Sequence, residues 1–92
     1  MPYIKKIDKE KYRDVIEDLR LTPKTPTGEI NYLITVILLK SLGSGYNYQR
    51  INDLIGALEC CKLEFTRRIT APYEENKIKE NGDVYDYSVP SV

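Results

Sequence analysis

The chain has no histidine and no tryptophan, a single phenylalanine and only two cysteines in 92 residues. Without histidine, His-based general acid–base chemistry, Ser-His-Asp and Cys-His machinery and most transition-metal sites are excluded. Cys60 and Cys61 are neighbours in sequence, and side chains one step apart on a helix diverge by about 100°, so they cannot bridge each other there. With no CxxC spacing, neither a disulfide framework nor a zinc site is expected, and the pair reads as two small buried apolar residues in a reducing compartment. Net charge is missing as well: Lys plus Arg and Asp plus Glu both number 14. That argues against a broad polyphosphate-binding surface and against DNA as a partner, while leaving room for a local basic pocket. The most apolar run, Tyr32 to Leu39, falls far short of the roughly 20 residues a membrane span needs. The N-terminal MPYIKKIDKEKYRD lacks the apolar centre of a signal peptide. The expected compartment is the cytoplasm, with no membrane partner.

What is present is globular in balance, 41% hydrophobic and 30% charged, and of a size that makes one domain over residues 1–92 marginal when it stands alone. The periodicity predicts an all-α fold: a small antiparallel helical bundle of three main helices plus a short C-terminal helix after Pro72. The first helix is expected at about 9–20, capped by Asp8, with Ile7 and Tyr12 as a hydrophobic staple and Val15, Ile16 and Leu19 continuing the stripe. Pro23 and Pro26 end it. The second is expected at about 28–42, with Thr27 as cap and Gly43 closing it. Its apolar residues run almost all the way round, so it must be covered on all sides. Its β-branched run also admits a strand reading, which the 3.6-residue period and the caps outweigh.

The third helix is expected at about 48–71, with Ile51, Leu54, Ile55, Leu58, Phe65 and Ile69 in one stripe. A second, nearly opposite arc carries Gly56, Cys60 and Leu63. It reads as a subunit contact, the competing reading being that the first helix covers it within the chain. The expected state is therefore a homo-oligomer. Pro72 forces a kink or restart, followed by a short helix at about 73–80 closed by Asn81-Gly82 and an extended tail at about 83–92.

Chemistry has few places to reside. GSG at 43–45 is too short for a phosphate-binding loop and lacks its Lys and Ser/Thr. No pair of carboxylates has a spacing that singles it out. No catalytic residue, metal ligand or cofactor is expected, and the chain does not read as an enzyme. The candidate ligand residues are Lys62, Arg67, Arg68, Tyr73 and Tyr48. Guanidinium forks match phosphate geometry and tyrosine faces stack on bases. The competing reading of each is structural: Lys62 paired with Glu59, Arg68 paired with Glu64 at i, i+4, and tyrosines packing with their hydroxyls at the surface.

From Gly28 to Tyr85 the chain carries GEINYLIT, then YxRINDLIGALECxKLEF, then RRITAPYEENKIKENGDVY. This pattern resembles a family of small uncharacterised proteins of tailed phages and prophages, the APYEENKI…ENGDVY block being its most specific part. The resemblance implies a phage-type origin, hence a host cytoplasm, and carries no catalytic residues with it. In size and oligomer-prone helices the chain is also similar to small phage proteins that sequester nucleotide second messengers and silence host defence. The expected function is therefore a non-enzymatic protein that binds a cyclic oligonucleotide or cyclic ADP-ribose type ligand. The alternative is a protein-binding or structural accessory factor of a phage with no small-molecule ligand.

Overall fold

The computed structural model describes residues 2–86. Among these the chain is helical with no strand: α1 Lys6–Glu10, α2 Arg13–Asp18, α3 Thr27–Leu42, α4 Tyr48–Phe65, a π-helical turn Thr66–Thr70, α5 Ala71–Asn81 and a 3-10 turn Val84–Asp86. The chain divides into two compact units, one up to Leu58 and one from Glu59.

In the first unit, the helix expected at 9–20 is two short helices. Lys5, not Asp8, stands at the N-cap of α1, and Asp8 lies within its first turn. The chain then breaks at Lys11 and Tyr12 before α2 begins. The reason is weak support. Ile7 and Ile16 are 76% and 62% exposed, so the apolar stripe gains little from packing, and helices this short are not held by propensity alone. Arg20 ends the segment at φ 51°, the left-handed conformation that helix C-termini adopt and that glycine takes at lower cost. A turn over Thr22–Thr25 follows. Thr22 N–H donates to Thr25 Oγ1, Thr25 N–H to the Thr22 carbonyl, and Pro23 presets the turn's backbone.

α3 starts one position earlier than expected, at the residue read as its cap. Pro26 holds the N-cap place and Thr27 is the first helical residue, without a side-chain cap bond. Gly43, at φ 69°, supplies the positive φ that ends α3, and its N–H reaches the Leu39 carbonyl at 3.4 Å. α4 begins with a genuine cap: Asn47 Oδ1 accepts the Arg50 backbone N–H at 2.9 Å. The Arg50 side chain turns back on α3, where Nε and Nη2 both donate to the Ser41 carbonyl, at 3.1 and 3.0 Å. One cation thus serves a carbonyl that the helix end leaves orphaned and sits where the helix dipole favours positive charge.

In the second unit, the helix expected to run to 71 changes register first. The Ala71 N–H bonds to the Thr66 carbonyl, five residues back. Pro72 explains the widened turn. It offers no N–H, and in an α register its ring would press on the carbonyl four residues earlier, which a π turn moves aside. α5 accordingly starts at Ala71 with Pro72 inside its first turn, rather than at 73, and ends at Gly82, φ 84°. Beyond it the tail expected to be extended forms the 3-10 turn Val84–Asp86, with the Tyr85 N–H on Asp83 Oδ1 at 2.9 Å. Residues 87–92 of that expectation lie outside the described residues. No described side chain is fully buried, and no helix among the described residues is long and apolar enough to cross a membrane.

Candidate functional site

Four of the five expected ligand residues lie in the second unit, and the structure engages two of them with carboxylates. Arg67 donates from Nε and Nη2 to Glu64 Oε1 and Oε2 at 2.6 and 2.9 Å. That two-point fork closes on a carboxylate whose side chain is only 20% exposed. Lys62 Nζ stands 3.8 Å from Glu59 Oε1, both ends well exposed, an ion pair of small worth. The Glu64–Arg68 pair expected at i, i+4 is replaced by Glu64–Arg67, because Arg67, one position nearer in the chain, occupies both carboxylate oxygens. Arg68 is exposed and has no ion pair among the described residues. Tyr73 is 62% exposed, with Lys77 Nζ 5.5 Å from its ring centroid in cation–π range. From Lys62 to Tyr73 the helical rise alone is about 16 Å, so these residues line a length of helix rather than converge on one point. Tyr48 belongs to the first unit, at the start of α4 beside a shallow depression shared with Tyr46, Asn47 and Ile51.

The first unit carries the most apolar of these features. Between α3 and α4 runs an open groove of about 260 Å³ lined by Leu38, Leu39, Leu42, Leu54, Ile55 and Leu58, with Ile51 and Thr35 completing it. Leu39, Ile55 and Leu58 are 62%, 62% and 43% exposed. A separate depression in the same unit gathers Leu19, Arg20 and Leu21 beside Glu29, Tyr32 and Leu33. The end of α2 therefore lies at the α3 N-terminal half, away from the groove.

Both features fall inside one family match, which spans residues 1–84. The chain belongs to the family described as Domain of unknown function (DUF6899). No curated protein and no solved structure matches it. The DUF6899 match takes in α1 to α5, and therefore the groove, the Arg67–Glu64 fork and the APYEENKI segment alike.

Two structural residues of this DUF6899 chain escaped the sequence reading. Asn47 was passed over inside GSGYNY, although Asn before a helical stretch is a cap signal. Arg50 has no local signal, because its acceptor is nine residues away on another helix. Cys60 and Cys61, expected to be buried, are both exposed. Gly56 has open space where a Cβ would stand, so no described residue of the chain packs against the second arc at that point. Among the described residues no group of three His, Cys, Asp or Glu is placed to hold a metal ion.

Proposed function

We propose that this protein is a non-enzymatic binding protein whose working form is an assembly of copies of itself, in which its helices complete an antiparallel bundle between chains. One observation carries the reading: no described side chain is buried, and large apolar residues stand exposed along the described chain, Ile7, Tyr48, Val84 and Tyr85 beyond 70%. Sedimentation at micromolar concentration tests this. The expected result is a defined multiple of 10.7 kDa, and a stably helical monomer overturns it.

A second reading is favoured by Arg68, exposed and without an ion pair among the described residues, and by the exposed Tyr73 with Lys77 over its ring further along the chain. In it, the assembly sequesters a nucleotide second messenger of cyclic oligonucleotide or cyclic ADP-ribose type. In this reading the pathway it opposes is host anti-phage defence, by analogy of size and helical make-up with small phage proteins that sequester such messengers. Cation and aromatic face together suit a base and its phosphate. A thermal-shift series with cyclic di- and trinucleotides and cyclic ADP-ribose isomers tests it. A ligand at 100 times its Kd stabilises by about 2.7 kcal/mol. The shift is expected to vanish in Arg68→Ala and to survive in Arg67→Ala, whose guanidinium is held by Glu64. No shift with any of these ligands removes this reading and leaves the assembly untouched.

A further inference from the structure

We propose that Asn81–Gly82 is a site of spontaneous covalent modification, in which the Gly82 backbone nitrogen attacks the Asn81 side-chain amide, and that the last turn of α5 sets the rate. Among the asparagines of the chain, Asn81 alone is followed by glycine. Tyr32, Tyr48, Asp53 and Lys77 follow the others, and each puts a side chain beside the nitrogen that would have to attack. Glycine puts none there and leaves the backbone free to bring that nitrogen round.

The chemistry needs no co-reactant but water. The Gly82 amide gives up its proton, and its nitrogen bonds to Asn81 Cγ. The Cγ–Nδ2 bond breaks and Nδ2 leaves as ammonia, so that a cyclic imide joins the two residues. Water then opens the imide. Opening at the side-chain carbon leaves aspartate at 81, and opening at the main-chain carbon leaves isoaspartate, with the chain running through the former side chain. Water enters, ammonia departs, and nothing is oxidised or reduced. Both residues are exposed and line an open cavity of about 410 Å³ with Glu74, Lys77, Ile78 and Asp83, so water has access to the reacting atoms.

The fold holds the reaction back. Asn81 is the last residue of α5, and a helical ψ there keeps the Gly82 nitrogen off the line of approach to the side-chain carbon. The proton that must leave is donated to the Ile78 carbonyl at 2.8 Å. That bond and that dihedral belong to the final turn, and helix ends open at far lower cost than whole domains. Conversion therefore follows the fraying of α5. It also promotes that fraying. A carboxylate at 81 puts negative charge at the C-terminal end of the helix, where the dipole disfavours it, two positions before Asp83. Isoaspartate adds a backbone atom that breaks the helical register. Either product loosens the turn whose opening made it.

The test incubates the full chain at mildly alkaline pH, folded and in urea, and follows every asparagine by peptide mapping and mass spectrometry. Folded protein is expected to convert at Asn81 before any other asparagine, to both aspartate and isoaspartate. The folded rate is expected to be about fivefold or more below the rate in urea, the worth of the hydrogen bond that must open. Earlier conversion elsewhere, no conversion at Asn81 while the urea sample converts, or aspartate without isoaspartate overturns the site. Equal rates in the two conditions overturn the control by α5. Asn81→Gln keeps the amide but sets its carbon one methylene further off, and is expected to stop conversion at this position; loss of ammonia there at the wild-type rate overturns the ring closure. In Asn81→Asp the Gly82 amide is expected to exchange its hydrogen faster than in wild type, and exchange no faster than wild type overturns the loosening.

Discussion

Replacing Arg50 by alanine isolates a polar contact that ties α4 to the end of α3. The guanidinium gives two N–H groups to the Ser41 carbonyl at 3.1 and 3.0 Å. A hydrogen bond from a charged donor contributes about 1.5–3 kcal/mol where water is excluded. Arg50 and Ser41 are both exposed, and screening cuts this to about 1 kcal/mol, of which the favourable charge at the α3 C-terminus accounts for about half. The Asn47 cap is left intact, because its donor is the backbone of residue 50. For a chain of 92 residues the unfolding entropy is about 0.19 kcal/mol/K, so 1 kcal/mol lowers Tm by about 5 °C. Arg50→Lys keeps the charge but loses the fork, and should recover about half of that shift. Differential scanning calorimetry at one fixed protein concentration measures all three proteins, since assembly makes Tm concentration-dependent. An Arg50→Ala Tm within a degree of wild type refutes the contact's contribution. A lysine variant equal to wild type refutes the fork and leaves only the charge.

Three further outcomes follow from the second unit. Pro72→Ala supplies the missing N–H and removes the ring that forces the π turn, so Tm should rise by about 5–10 °C, for 1–2 kcal/mol, and the residue 72 amide should exchange slowly; a persisting π turn assigns it to packing instead. Gly82→Ala places a Cβ at φ 84° and should cost about 1–2 kcal/mol, read as a fall in the denaturation midpoint with unchanged slope. Glu64→Gln loosens the fork on Arg67 and should lower stability by about 1 kcal/mol while strengthening binding of any polyphosphate probe, measured by calorimetric titration; weaker binding would place Glu64 itself at the ligand.

The legible part of this fold was what chain-local rules decide. The glycines after α3 and α5 end those helices as their punctuation says, and α3 falls within a residue of its periodic stretch, whereas α4 ends at Phe65, six residues short of 71. Phase was not legible. Counting at 100° per residue carries Arg68 onto the Glu64 row, yet Arg67 takes that carboxylate and the register widens just there. The break at Lys11–Tyr12 was hidden by a stripe that looks continuous from Ile7 to Leu19 but packs against little. The candidate ligand set was chosen by residue type. Type alone did not show that Lys62 and Arg67 have carboxylate partners or that Tyr48 belongs to a different unit from the rest. The groove was half visible, since both of its helices were marked as over-rich in apolar residues, but which of two arcs on α4 faces it needed the backbone.

The π turn at Thr66–Thr70 also acts as a spacer in the helical count. A π turn is an α turn that has absorbed one extra residue, and each residue turns a helix by about 100°. Within the second unit, the residues after it are therefore rotated relative to the helical count that runs from Glu59 to Phe65. Deleting one residue from 66–70 together with Pro72→Ala would restore a single uninterrupted α-helix and return Tyr73, Lys77 and Ile78 to the angular positions that an unbroken count assigns them. Within the DUF6899 family, chains with no proline at this place should carry one residue fewer between the CCKLEF and APYEEN segments, so that a single-residue gap marks where the widened turn has been lost.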